Sequence, residues 1–239
     1  MLHFVYNGES SEDYGLVIER SYTHPLPGVI DRDIMMPGRR GRYSVDAALD
    51  QGVISFQCRF VEASFEDVHE KAEKIAAWLN PEHGVQDMTF SGRPGRLYRA
   101  RVSDMTSLDQ MLIRGRVTVT FKIPDGVVYG GQRFWETGMI PPHNDGGVEA
   151  PLEITATIKE ATPDLELTLG TETILIHGPF VDTNEIIITE NDHVTVNGAS
   201  AMDQVDISSD FFRAPVGDFE VTADPVSTEL EIKWTERWL

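Results

Sequence analysis

Apolar and polar residues alternate along most regular segments of this 239-residue chain, and this period of two is the feature that most constrains its fold. In the segment 54–60, Ile54, Phe56, Cys58 and Phe60 fall on one face, while polar side chains fall on the other. The same alternation recurs in segments 116–123, 152–159, 165–169 and 230–238. Strands with one buried face produce this pattern. The chain is therefore predicted to be mainly β, with Cys58 as a buried and unreactive thiol.

One segment has the periodicity of a helix instead. Its apolar residues recur at spacings of three and four: Phe65, Val68, Ala72, Ile75 and Leu79. Asn80-Pro81 should end the helix, because proline cannot continue it and restricts the residue before it. A single helix among strands is expected to lay its apolar stripe on a sheet.

The two halves of the chain differ in charge, which predicts two domains. Residues 1–133 contain 16 Lys and Arg and 18 Asp and Glu, which gives a formal charge of -2. Residues 134–239 contain 4 Lys and Arg and 21 Asp and Glu, which gives -17, so that the two halves sum to the total of -19. Glycines and prolines around 130–147 favour turns at the boundary. The near-neutral domain, 1–133, suits packing against like copies. The acidic domain, 134–239, suits solvent or a basic partner and disfavours tight nucleic-acid binding.

The sequence lacks the motifs of common catalytic, metal and cofactor sites. It has no glycine-rich phosphate loop and no G-x-S-x-G nucleophile motif. His69-Glu70 lacks the second histidine of a zinc-binding helix, because position 73 is Glu73, and no calcium-loop spacing is present. We predict no catalytic residue, no cofactor and no metal, and hence not an enzyme. A hydrolase that brings two of the dispersed carboxylates together stays open as an alternative.

Nothing in the sequence predicts insertion into a membrane. No apolar run approaches the ~20 residues that cross a bilayer. The first fifteen residues lack the basic segment and apolar stretch of a secretory signal. We therefore expect the protein to be made and assembled in a cytoplasm.

Arginines of the first half provide the candidate binding residues. Six residues form a basic turn between two predicted extended segments: Pro37, Gly38, Arg39, Arg40, Gly41 and Arg42. Further arginines of this half stand at positions 93, 96, 99, 101, 114 and 116. Single surface arginines are ordinary, but a cluster in a near-neutral domain can pair with carboxylates of a neighbouring subunit, since the guanidinium binds carboxylates in a planar, bidentate way. We predict that the turn is a subunit contact.

The order of these features resembles the siphophage distal tail protein family (Dit), tail components of phages and prophages of Gram-positive bacteria. The resemblance is carried by five features in sequence order: SEDYGLVIERS at 11–21, the Pro-Gly-Arg-x-Gly turn at 37–41, the strand 53–60, the helix ending in Ala77-Trp78-Leu79, and YRARV at 98–102. An acidic β domain with a Trp in its last strand follows. The specific part lies in residues 10–125.

The resemblance implies a fold and a structural role. It implies an N-terminal β domain like a tail-tube subunit, a β-sandwich or split barrel with one helix, and a C-terminal galectin-like β-sandwich. Six copies would close into a hexameric ring at the phage tail tip. The ring would join the tail tube protein to the tail-tip protein and to receptor-binding or accessory baseplate proteins. A baseplate hub of this kind is a structural component of the virion, assembled in the host cytoplasm.

A carbohydrate-binding module used in adhesion to the host surface is the alternative interpretation. The galectin-like trait of the family and the aromatic residues Trp234 and Trp238 motivate it. Tryptophans on the apolar face of a strand more often belong to the core. Glycan binding by the second half would favour this alternative.

Overall fold

The computed structural model of the chain describes residues 2–23, 28–36, 40, 43–60, 65–105 and 116–239. It is mainly β, as predicted, and one α-helix lies among the described strands. The chain divides into two compact units, Met1–Tyr129 with Leu239, and Gly130–Trp238. The division falls inside a strand, Val128–Glu136. The separate roles assigned to residues 1–133 and 134–239 stay a prediction.

The first unit is built from short strands and the helix. In chain order its elements are β1 (Phe4–Tyr6), β2 (Glu9–Ser10), β3 (Leu16–Thr23), β4 (Val29–Ile34), β5 (Tyr43–Leu49), β6 (Gly52–Phe60), α1 (Phe65–Trp78), a 3₁₀ turn (Pro81–His83), β7 (Gln86–Phe90), β8 (Leu97–Met105) and β9 (Arg116–Ile123).

An antiparallel sheet forms the body of this unit. Its strand order is β3-β6-β9-β8-β7-β1-β2. The alternation in β6 and β9 is confirmed, because Ile54, Phe56 and Cys58 are buried and so are all four apolar residues of β9, Val117, Val119, Phe121 and Ile123. Burial raises the pKa of the Cys58 thiol to about 12, which keeps it protonated and unreactive.

The helix packs on this sheet through its C-terminal half. Ala72, Ile75, Trp78 and Leu79 are buried. The Trp78 ring stacks on Phe4 at 5.4 Å between centroids, and its indole N–H donates to the Tyr6 carbonyl at 2.9 Å. The helix ends at Trp78, two residues before Asn80, as the Asn-Pro pair predicts. One tryptophan therefore joins the helix to the first strand.

The second unit consists of strands. In chain order they are β10 (Val128–Glu136, which crosses the division), β11 (His143–Asn144), β12 (Ala150–Thr157), β13 (Thr162–Leu169), β14 (Glu172–Phe180), β15 (Glu185–Ile188), β16 (Val194–Val196), β17 (Ala199–Ser200), β18 (Arg213–Ala214), β19 (Gly217–Asp218), β20 (Val221–Asp224) and β21 (Glu229–Trp238). A 3₁₀ turn (Met202–Gln204) follows β17.

Two sheets of this unit share one core. One has the order β17-β16-β15-β12-β21-β10, and the other has the order β14-β13-β20. Buried apolar residues of both sheets belong to a single cluster, for example Ile154 and Ile232 from the first and Leu167 and Ile176 from the second. Two sheets with a common apolar interior form a sandwich. The Asn197-Gly198 pair makes the hairpin turn between β16 and β17, with positive φ angles of 49° and 80°.

Candidate assembly surfaces

The β4–β5 hairpin is the clearest candidate contact surface of the first unit. Among the described residues its two strands pair only with each other, in a two-stranded sheet. Isolated two-stranded hairpins are marginally stable in water. This one also exposes large apolar side chains: Ile30, Ile34, Met35 (68%) and Met36 (51%). An exposed apolar patch on such a hairpin marks a surface that another chain can cover.

The predicted basic turn lies in the connection of this hairpin. Strand β4 ends at Ile34 and β5 begins at Tyr43, so the extended segments predicted on either side are strands. Of the six turn residues the structure describes only Arg40, which is exposed. Pro37, Gly38, Arg39, Gly41 and Arg42 lie outside the described residues. Their role as a subunit contact stays a prediction.

Several other arginines of the first half make contacts within the first unit. Arg116 Nε donates to Glu19 Oε2 at 2.8 Å, and Arg59 lies 3.7 Å from the same carboxylate. The Arg99 guanidinium lies over the Tyr129 ring, 5.3 Å from its centroid. Arg93 and Arg101 are exposed, and Arg114 lies outside the described residues. Arg116 is thus already paired inside its own subunit.

A chain of charged residues crosses the second unit. Arg133 Nε donates to Glu236 Oε1 at 2.6 Å, and Arg133 Nη2 donates to Asp145 Oδ2 at 3.0 Å. His143 lies 3.3 Å from Asp145 and 2.6 Å from Asp218, and the hydrogen bond with Asp218 raises its pKa. The Glu236 side chain is only 6% exposed. Removing the cation beside a buried carboxylate is destabilising, so Arg133 stabilises the buried Glu236.

Beside this chain lies a pocket of about 650 Å³, which we call the Trp234 pocket. Its principal lining residues are Arg133, Phe134, Trp135, Met139, Ile140 and Trp234. Ile140 is 88% exposed, and Phe134 and Met139 are about half exposed. Trp234 is 2% exposed, and its indole N–H has no hydrogen-bond acceptor among the described residues. A buried donor without an acceptor is uncommon in folded proteins.

The burial of Trp234 bears on the carbohydrate alternative. A tryptophan in the core cannot offer its face to a sugar ring, and Trp234 packs edge-on against Phe219 at 5.3 Å. A larger pocket of about 870 Å³ lies elsewhere in the unit, where Glu149, Glu172 and Glu220 contribute carboxylates beside Phe211. These carboxylates carry the acidic character that composition predicts.

Two histidines, His177 and His143, lie between carboxylates in the fold without any motif in the sequence that predicts it. His177 Nδ1 lies 2.8 Å from Asp164, and His177 Nε2 lies 3.1 Å from Asp206. These hydrogen bonds raise the pKa of His177. The partners of His177 and of His143 come from distant strands and loops, so no spacing in the sequence signals them. No cluster of metal ligands occurs among the described residues.

The part of the chain that the structure describes contains no helix that is long and apolar enough to cross a membrane. Its only α-helix, α1, has 14 residues, several of them charged.

Comparisons with known structures show a fold shared with a phage tail protein. The structure of SPP1 Dit (gp 19.1), described as a paradigm of the hub adsorption apparatus in phages that infect Gram-positive bacteria, is similar over 100% of both chains, with a TM-score of 0.81 and 17% identity. Structures of the phage p2 baseplate in its activated conformation, with Sr and with Ca, are 10% identical over 99% of this chain and 98% of theirs, with TM-scores of 0.44 and 0.43. No curated protein matches the chain.

Two family models match successive parts of the sequence. Residues 9–123 match the phage tail protein RIFT-related domain, and residues 145–238 match the C-terminal domain of the siphovirus-type tail component, SPP1 Dit. Together the matches leave out only the first eight residues, residues 124–144 and Leu239. The chain therefore belongs to the siphovirus-type distal tail proteins, a family of structural components of the phage tail.

Proposed function

We propose that this protein is the baseplate hub subunit of a long-tailed phage or prophage. Six copies close into a ring that joins the last ring of the tail tube to the tail-tip protein. Receptor-binding or accessory baseplate proteins attach at its periphery. The subunit is assembled in the host cytoplasm and has no catalytic activity of its own.

The β4–β5 hairpin is the observation that carries this proposal. Ile34, Met35 and Met36 expose apolar surface on a ribbon that pairs with no other described strand. A neighbouring copy would cover that surface, which gives the hairpin the stability it lacks alone. Cyclic rings repeat one such contact between identical subunits. Membership of the tail-component family supports the same role.

The two domains have different parts in the ring. Residues 1–133, with a formal charge of -2, form the tail-tube-like ring domain, where like copies meet with little repulsion. Residues 134–239, with a charge of -17, form a galectin-like sandwich that stands at the periphery. Mutual repulsion of the acidic domains is tolerable there because solvent screens them.

Ring formation is tested with the full chain. Light scattering after size-exclusion chromatography gives the particle mass over a range of protein concentrations, and negative-stain electron microscopy shows the particle shape. We expect closed rings at high concentration, or on mixing with the tail tube protein of the same phage. A monomer under both conditions contradicts the proposal.

Substitutions in the hairpin test which residues make the contact. Met35→Ser with Met36→Ser should raise the concentration at which rings form, because less apolar surface is covered on assembly. Arg39→Glu with Arg42→Glu should do the same if the turn contacts carboxylates of the neighbour. Ile207→Ser removes a fully exposed aliphatic side chain of the second unit and is the control. Unchanged assembly of both double variants would remove the hairpin from the interface.

A further inference from the structure

His177 has a carboxylate at each of its two ring nitrogens, and this arrangement depends on the proton that the ring carries. Nδ1 lies 2.8 Å from Asp164 Oδ1, and Nε2 lies 3.1 Å from Asp206 Oδ2. An ionised carboxylate only accepts hydrogen bonds, and a neutral imidazole has a single N–H. Only the protonated ring can therefore donate to both carboxylates at once.

The fold holds these two carboxylates in different ways. Asp164 is on β13, directly opposite His177 in the antiparallel ladder with β14. Asp206 belongs to residues 205–210, a segment outside the helices and strands that we call the 205–210 strap. Among the described residues, Asp164 and Asp206 are the charged groups that act on the pKa of His177. The charge of His177 thus couples a fixed strand to a segment that no ladder holds.

The strap covers the edge of β14. This strand is the last of its sheet, so one of its edges has no partner strand among the described residues. The backbone N–H of Asp206 donates to the Leu175 carbonyl at 2.9 Å, and that of Asp210 donates to the Thr173 carbonyl at 3.0 Å. The Leu175 N–H in turn donates to the Ser209 hydroxyl at 2.9 Å. Without the strap, these backbone groups of β14 would be open to water or to another extended chain.

Asp206 keeps its negative charge over the pH range in which His177 titrates. The hydroxyl and the backbone N–H of Ser208 donate to Asp206 Oδ1, at 2.6 Å and 2.8 Å. These bonds, together with His177, lower the pKa of Asp206 to about 2. When His177 loses its proton, one ring nitrogen therefore presents a lone pair to a carboxylate that stays ionised, and the attraction at that nitrogen is lost.

We propose that His177 is a proton-dependent clasp that holds the 205–210 strap on the edge of β14. The protonated ring joins Asp164 to Asp206 and keeps the strap closed. Loss of the proton releases Asp206, because Asp164 is fixed in the ladder and the strap is not. A rise in pH uncovers the strand edge, and acidification covers it again. This inference concerns the second unit alone and does not depend on ring formation.

Hydrogen–deuterium exchange of the full-length protein tests the clasp. Mass spectrometry follows peptides that cover residues 173–176 and 204–210, and the rates are corrected for the intrinsic pH dependence of amide exchange. Protection of these peptides should fall by about two- to fivefold between about pH 6 and about pH 9, because an exposed ion pair changes an opening equilibrium by roughly this factor. In His177→Gln, which does not titrate, the protection should be low at both pH values.

His143→Gln is the matched control. His143 also lies between two carboxylates, those of Asp145 and Asp218, which are not part of the strap. This variant should keep the pH dependence of the wild-type protein. His143 and His177 are both about half exposed, so neither substitution is expected to unfold the chain. Protection that is equal at both pH values in the wild-type protein, or that falls equally in His177→Gln, overturns the inference.

A second measurement needs no substitution. Exchange at the imidazole C2 position, followed in the same samples, gives the pKa of His177 in the folded protein. The midpoint of the loss of protection should coincide with that pKa within about one pH unit, because one proton controls both. A larger separation contradicts a clasp formed by His177.

Discussion

Replacing Trp78 with phenylalanine tests how the helix is held on the sheet of the first unit. Trp78→Phe keeps an aromatic ring against Phe4 but removes the indole N–H that donates to the Tyr6 carbonyl at 2.9 Å. A buried carbonyl that loses its donor costs about 1–3 kcal/mol. The volume left by the missing ring atoms adds roughly 1 kcal/mol. We therefore expect the free energy of unfolding of the first unit to fall by about 2–4 kcal/mol.

The chain provides a matched control for this substitution. Trp135 also donates its indole N–H to a backbone carbonyl, that of Ile140 at 3.0 Å, but this bond is exposed. Water replaces the lost donor there, so Trp135→Phe should cost less than about 1 kcal/mol. Urea denaturation followed by far-UV circular dichroism, fitted with one transition for each unit, measures both. A Trp78→Phe effect no larger than that of Trp135→Phe would refute the assigned role of the buried bond.

Three further measurements follow from the structure. Gly146→Ala would place a Cβ 2.8 Å from the Arg237 backbone carbonyl oxygen, so it should lower the free energy of unfolding by about 1–3 kcal/mol. Gly131→Ala is the control, because no heavy atom lies within 4 Å of the added Cβ. In thermal denaturation the melting temperature should fall for Gly146→Ala and change little for Gly131→Ala. The pKa of His177 is raised in the folded protein, so the stability that His177 contributes is complete below its unfolded pKa of about 6.5 and is lost as pH rises through the folded pKa. The melting temperature of the wild-type protein should therefore fall across that pH window. The fall should be smaller in His177→Gln, which has no group that titrates there. Cys58 should stay unlabelled by Ellman's reagent in the folded protein and react fully in guanidinium; rapid labelling without denaturant would contradict its burial.

The local pattern of the sequence predicts much of the fold, because one buried face leaves a period-two signal in each strand. Phe56, Val119 and Ile154 are buried as the alternation predicts. The helix is predicted equally well, since Ala72, Ile75 and Leu79 share one face and an Asn-Pro pair follows. These signals lie within about fifteen residues of each other along the chain.

The pairings that shape the candidate surfaces could not be predicted, because their partners are far apart in sequence. Arg133 and Glu236 are separated by 103 residues, and His143 and Asp218 by 75. Alternation in the last strand gives Glu236 the same face as Trp234, yet only the folded chain shows that an arginine of β10 makes its burial possible. Composition likewise shows that the second half is acidic, without showing which carboxylates are paired.

The open edges of the β4–β5 ribbon limit how long a free subunit persists. Each strand has one partner among the described residues, so each presents an edge on which any passing extended chain can add a strand. A subunit that stays unassembled is therefore exposed to polymerisation through these strand edges in place of ring formation. The sequence of the connection contains Arg39, Arg40 and Arg42 and no acidic residue, and charged residues beside an open strand edge are one means by which proteins discourage such pairing.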